Sequence, residues 1–326
     1  MKKLLNNRII LAFAAIYVIW GSTFLGIRIA IETIPPFLMA GIRHLTAGLI
    51  LYPWSRARGA ARPTAIEWRS TAIIGVALLC VSNGTVTWSE QRLPSGIAAL
   101  IVATIPMWIA LLAWAGRKGV RPNRGTIAGL VMGFAGIVLL IGPDRILGHG
   151  KIDLAAATAL IFAGAFWAKG SLFSRTAKLP SSQLQAAGME MLAGGAALLV
   201  LSGVTGELSH FDPSAVSLRS WLALGYLTVG GSIVGFTAYA WLFRATTPSR
   251  VATYAYVNPV IAILLGWGFA GEELDAHVFV AAGVIVLAVV LIITAQQKGS
   301  YRLLFRKAAD KPAPIAAAKE SLTIGD

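Results

Sequence analysis

The chain is written twice. Trp20, Leu25, Arg28, Ala40, Gly41, Leu45 and Gly48 recur 147 positions later as Trp167, Leu172, Arg175, Ala187, Gly188, Leu192 and Gly195. Pro94-Ser95, Ala98 and Gly129 recur at a shift of 154 as Pro248-Ser249, Ala252 and Gly283, and Pro106 and Trp114 recur as Pro259 and Trp267. Each copy holds five apolar spans, an odd number, so the second copy must cross a bilayer in the opposite sense to the first. Two inverted halves around one centre have two related arrangements open to them. That is the geometric requirement for showing one site to either side of a membrane in turn.

The spans themselves follow from where charge is missing. No Asp, Glu, Lys or Arg occurs in 9–27, 70–89, 93–116, 125–143, 220–243, 251–271 or 278–297, and three further spans carry one charge each: 37–54 with Arg43, 154–174 with Lys169 and 184–203 with Glu190. Each is long enough to cross ~30 Å of hydrocarbon as a helix, whereas a transmembrane β-barrel needs shorter alternating segments. With 56% hydrophobic and 13% charged residues and a mean hydropathy of +0.72, the expected class is an all-α polytopic membrane protein of ten helices in two inverted five-helix repeats. The expected organisation is an N-tail at 1–8, a first repeat at 9–142, a second at 153–297 and a basic, then disordered, C-tail at 298–326.

The net charge of +14 reads as topology and excludes a nucleic-acid partner. With both termini on one side, 21 of the 28 Lys and Arg lie on that side and four on the other, so both ends are expected in the cytoplasm of a bacterial cell. Nine of the fourteen acids, among them Glu90, Glu207 and Glu272, fall on the outer side. Cys80 is the single cysteine, which excludes an intramolecular disulfide or thiolate cluster, and no cofactor or metal is expected. The partners expected are a small-molecule substrate and the lipid bilayer, and the sequence is compatible with a homodimer.

Polar residues inside apolar spans mark the candidate site, because each must be satisfied by water, protein or ligand. Trp20-Gly21-Ser22-Thr23 interrupts span one, and its partner in the second copy is Trp167-Ala168-Lys169-Gly170. The motif reads either as a cavity wall or as a notch where helices pack. Lys169 is expected to line the cavity and meet an anionic group. Arg43 and Glu190 hold equivalent places in the two copies with opposite charges, which suggests an ion pair; a proton-coupling carboxylate is the other reading. Asn83, Thr87 and Glu90 share one face of span three beside Trp88, facing a polar interior, unless Glu90 merely ends the helix at the surface. Tyr254, Tyr256, Asn258 and Pro259 mark span nine, with Pro106 matching in span four. Each proline removes an amide and frees the carbonyl four residues back, Val102 and Ala255, so the pair are candidate hinges. Gly129-xxx-Gly133 and Gly231-xxx-Gly235 are expected to pack helices.

Trp20-Gly21-Ser22-Thr23 through Arg28, Pro94-Ser95-Gly96-Ile97-Ala98-Ala99, Pro248-Ser249-Arg250-Val251-Ala252 before Tyr254-Ala255-Tyr256-Val257-Asn258-Pro259, and Gly271-Glu272-Glu273-Leu274 together resemble the EamA branch of the drug/metabolite transporter superfamily, in particular its YedA-like bacterial inner-membrane group. The resemblance spans about residues 9–297. It implies a central cavity lined mainly by helices one, three, four, six, eight and nine, and a family that exports or exchanges amino acids, nucleosides, sugars and drugs. One departure stands out: Gly116-Arg117-Lys118 takes the place where the family often has an acidic Gly-Glu pair.

The resulting expectation is a carrier exporting a small metabolite, an amino acid or related amphipathic compound, by alternating access. Trp20, Trp167, Tyr254 and Tyr256 would form its walls, with Trp88 beside them, while Ser22, Thr23, Asn83 and Asn258 would offer hydrogen bonds. A drug, nucleoside or sugar carrier of the same family, a channel and a scaffold are the alternatives. An enzyme is disfavoured, since no HExxH or Gly-rich phosphate loop occurs and His44 is the one histidine within the spans.

Overall fold

A computed structural model of the chain describes residues 2–116, 122–141, 153–245, 253–272 and 276–309. Ten helices cross the molecule: α1 (Lys2–Ala30), α2 (Pro36–Ala57), α3 (Ala65–Ser89), α4 (Ser95–Ala115), α5 (Arg124–Ile141), α6 (Leu154–Ser174), α7 (Gln183–Val204), α8 (Leu218–Tyr226 continuing through Leu227–Val234 to Gly235–Ala245), α9 (Tyr254–Ala270) and α10 (Ala276–Ala309). Seven are long and apolar enough to span a membrane. Among the rest, α5 and α9 are shorter apolar helices and α2 carries Arg43 and His44. Ten alternating crossings bring both chain ends to one face, the terminal face; the other is the far face.

Packing repeats as the sequence does. Equivalent helices pair with each other, α2 with α7 and α5 with α10, while α1–α9 is mirrored by α6–α4 and α1–α8 by α6–α3. Gly41, Leu45 and Gly48, with their counterparts Gly188, Leu192 and Gly195 at the 147 shift, form the α2–α7 seam. A Cβ on Gly48 would lie 2.7 Å from the Leu192 amide nitrogen, one on Gly195 2.5 Å from that of Leu45, and Gly41 and Gly188 face Leu199 and Tyr52 as closely. Without a hydrophobic force between helices in lipid, such backbone approach is what holds them together. Gly129 and Gly133 do the same for α5, against Ile292, Ala288 and the Met107 sulfur.

Two departures from regular helix recur in both halves. Val76–Asn83 in α3 and Leu227–Val234 in α8 are π-helical, 151 positions apart. A π turn widens the helix and redirects its carbonyls, and such segments gather at functional sites. The prolines behave differently from each other. In α4 the helix stops at Val102 and restarts at Ile105 with Pro106 in its first turn, whereas α9 runs unbroken through Pro259. The matching prolines are therefore not matching hinges.

On the far face, acids from the second half cap helices of the first. α2 and α4 begin after Pro35 and Pro94, residues with no side-chain acceptor for the free amides of a first turn. Gly206 and Gly271, both at positive φ (80° and 65°), turn the chain after α7 and α9 so that the next residue is an acid pointing at those amides. Glu207 accepts from Phe37 N at 3.2 Å and Leu38 N at 2.9 Å; Glu272 accepts from Ser95 N at 2.6 Å and Gly96 N at 3.2 Å. At the terminal face the caps are local: Thr64 and Glu67 form a capping box on α3, and Ser182 caps α7. Arg117 and Lys118, the departure from the family pattern, and Pro248-Ser249 lie outside the described residues. α10 continues to Ala309, through the basic stretch expected to begin a separate tail, and 310–326 lie outside the described residues.

Candidate substrate cavity

A cavity of about 860 Å³, counting the part continuous with solvent, lies between the two halves. Its residues come from α1, α2, α3, α4, α6, α8 and α9. Val102 and Ala255, four residues before the two prolines, are both among them.

One wall is aromatic. Trp20 stands 5.0 Å from Tyr239, 5.1 Å edge-on from Tyr254 and 5.7 Å from Phe236, distances at which rings attract each other beyond simple burial. Its indole Nε1 donates to the Gly231 carbonyl at 3.1 Å, inside the π segment of α8. Gly235 makes that approach possible, since a Cβ there would strike the Trp20 ring. Trp167 of α6, the counterpart of Trp20, lines the same cavity. Gly21 serves packing: a Cβ there would sit 2.8 Å from Ile261 on α9. The Trp-Gly-Ser-Thr motif is thus wall and notch at once.

The polar lining lies on α1, α2, α3 and α9. Thr23, Ser82, Asn83 and Asn258 reach the cavity with Arg43 and His44. Asn258, with its amide nitrogen toward the carbonyls of Tyr17 (3.2 Å) and Tyr254 (3.3 Å), ties α9 to α1. His44 Nε2 and Asn83 Oδ1 are 3.0 Å apart. Arg43 Nε donates to Ser232 Oγ at 3.0 Å. Glu90, fully buried, has no hydrogen-bond partner for either carboxylate oxygen among the described residues; Arg28 Nη1 donates to its main-chain carbonyl.

Several expected site residues stand elsewhere. Lys169 is exposed, on the α6 face that also exposes Phe162, Phe166 and Phe173, so it faces lipid and not the cavity. Five residues from the end of α6, its long stem carries the ammonium toward the terminal face. Ser22 turns to α8, bonded to Tyr226 Oη at 2.5 Å and to the carbonyls of Val18 and Ile19. Trp88 packs against the core with the Arg92 guanidinium 4.6 Å over its ring, as an interfacial anchor does. The side chain of Tyr256 lies outside the described ones.

Arg43 and Glu190 do not pair. Across the α2–α7 seam, residue 41 faces 199, 45 faces 195, 48 faces 192 and 52 faces 188. Arg43 therefore sits opposite residue 197 and Glu190 opposite residue 50, seven residues away, or ~10 Å at the rise of an α-helix. An axis in the membrane plane sends a residue near one face to its equivalent near the other. Only residues close to the axis, near Leu45 and Leu192, can touch their equivalents. Glu190 is half-buried on the terminal-face side.

His44, Ser82 and Phe236 line the cavity without having been singled out. Phe236 follows Gly235 in a glycine motif, a usable signal. Ser82 lies in the π segment of α3, where regular helical periodicity misassigns faces.

A ten-helix membrane bundle of two inverted repeats around a central cavity is the architecture of a small-molecule transporter. The sequence profile of the EamA-like transporter family matches residues 7–142 and 154–294, one match per half, and the chain belongs to that family. It is 40% identical over 282 residues to the uncharacterized inner membrane transporter YedA of Escherichia coli K12, covering 86% of this chain and 89% of that protein. It is 25% identical to protein PecM of Dickeya dadantii, over 86% of this chain and 92% of that one, and 24% identical to the chloroplastic WAT1-related protein At3g02690 of Arabidopsis thaliana, over 84% and 66%. In the fold comparison, a crystal structure 20% identical in sequence superposes with a TM-score of 0.62 over 88% of this chain and 97% of that one.

Proposed function

We propose that this transporter is an inner-membrane exporter of amino acids or related amphipathic compounds, working by alternating access with both termini in the cytoplasm. The observation that supports it best is a single cavity walled by Trp20 and Trp167, equivalent residues of opposite halves, with a polar lining along α2 and α3. Rocking one half against the other about the α2–α7 seam would shift which end of the cavity is covered, without unmaking the seam. The 21-to-4 distribution of Lys and Arg supports the orientation.

Counterflow tests the reading. Proteoliposomes preloaded with unlabelled L-leucine should transiently accumulate labelled L-leucine above its equilibrium level and saturate with external concentration. A channel would equilibrate without overshoot, and either that result or no uptake would contradict the proposal.

A further inference from the structure

The cavity holds two adjacent polar side chains that the fold leaves incomplete. Arg43 is 5% exposed and His44 1%, yet Arg43 Nη1 and His44 Nδ1 have no hydrogen-bond partner among the described residues. Both residues line the cavity. A buried guanidinium with a free donor and a buried imidazole with a free nitrogen each carry a desolvation penalty that a ligand can relieve.

The surrounding groups fix what each presents. The Asn83 side-chain oxygen only accepts, so His44 Nε2 donates to it; buried beside a guanidinium, the imidazole is neutral and its Nδ1 is left as a free acceptor in the cavity wall. Arg43 is held by Ser232 through Nε, and its guanidinium lies against Gly231, where a Cβ would come 2.9 Å from Nη2. The one carboxylate close enough to act on it, Glu90, does not fill its free donor. Glu90, which the Arg28 and Arg43 charges act on, touches neither through its carboxylate. The subsite therefore combines a free cationic donor with a neutral acceptor one residue away.

We infer that Arg43 and His44 form a two-point subsite for the head group of the substrate: Arg43 takes a carboxylate, and His44 Nδ1 accepts from an ammonium or hydroxyl on the neighbouring carbon. The inference rests on the proposed function and moves the anionic contact from Lys169 to Arg43. A single guanidinium among the lining residues matches one negative charge, so monoanionic head groups fit better than phosphate dianions. The aromatic wall of Trp20, Phe236 and Tyr254 takes the apolar body.

Three probes with one isobutyl body separate the contacts: L-leucine, 4-methylpentanoate and 3-methylbutylamine, titrated calorimetrically against the purified full chain. The wild type should bind them in that order, the first two tighter than the amine by about tenfold or more, the worth of a charge-assisted hydrogen bond. Arg43→Gln should erase that gap and leave the amine unchanged, and Arg43→Lys should retain most of it. His44→Phe should weaken L-leucine and 3-methylbutylamine, the two probes with an ammonium, and leave 4-methylpentanoate unchanged. Lys169→Ala should change nothing. If the wild type binds the amine as tightly as the acid, a result needing no variant, or if Arg43→Gln keeps the ranking, the subsite is wrong while the cavity reading stands. If none of the three binds, the cavity reading falls and the subsite with it.

Discussion

Arg43 and Glu190 occupy the same place in the two halves and live in different surroundings. Arg43, on the far-face side of the seam, is nearly sealed and lines the cavity; Glu190, on the terminal-face side, is half-buried. Two and five residues from each, Leu45-to-Gly195 and Gly48-to-Leu192 approach almost backbone to backbone. The lesson is a division of labour. Duplication has kept the scaffold symmetric where helices must touch, and has let the polar lining diverge, so that the cavity is cationic toward one face only. A carrier needs both: symmetric packing gives two arrangements of similar energy, and an asymmetric lining gives one chemically distinct head-group site.

The strongest way to break the comparison is to fill the seam. Gly48→Ala and Gly195→Ala each push a methyl onto backbone atoms, which overpacking penalises by about 1–3 kcal/mol or more. Both should lower the thermal midpoint of the purified protein by similar amounts, because the two sites are equivalent. The α5–α10 pair sharpens the point. Gly129 meets Ile292 and the Ala288 carbonyl, whereas its counterpart Gly283 has nothing within 4 Å of a modest Cβ. Gly129→Ala should therefore destabilise and Gly283→Ala should be neutral. Equal effects there would show that recurrence, not contact, decides the outcome.

A smaller effect tests the far-face ties. Glu207→Gln and Glu272→Gln each weaken two hydrogen bonds from the first amides of a helix and remove a negative charge from its positive end, about 1 kcal/mol apiece. Circular dichroism melts should show the two losses adding, since the caps serve different helices. Unchanged melts would mean water replaces the carboxylates without loss.

Most of the fold was legible in the sequence, because Gly41 and Gly48 recur as Gly188 and Gly195 and all four make close contacts across one seam, although Gly129 and Gly283 show that recurrence alone does not ensure a contact in both copies. The seam residues are the recurring ones. The misplaced residues failed for local reasons. Lys169 lies three and seven residues from Phe166 and Phe162, one outward helical face, and that periodicity was readable beside its charge. Arg43 with Glu190 failed on symmetry, since an in-plane axis exchanges faces as well as helices. The π segments carry no hydropathy signature, so the inward turn of Ser82 and the Gly231 carbonyl that accepts from Trp20 had no trace in the pattern. The Gly206-Glu207 and Gly271-Glu272 caps join residues 169 to 177 positions apart, and only the folded chain brings them together.

The central claim is that one cavity is reached from either face in turn. In oriented vesicles carrying Cys80→Ser, a single cysteine at Thr23 or Asn258 can be offered a small membrane-impermeant thiol reagent from one side and then from the other. Alternating access predicts reaction from both sides for the same cysteine. Reaction confined to one side, with or without L-leucine, would contradict the account.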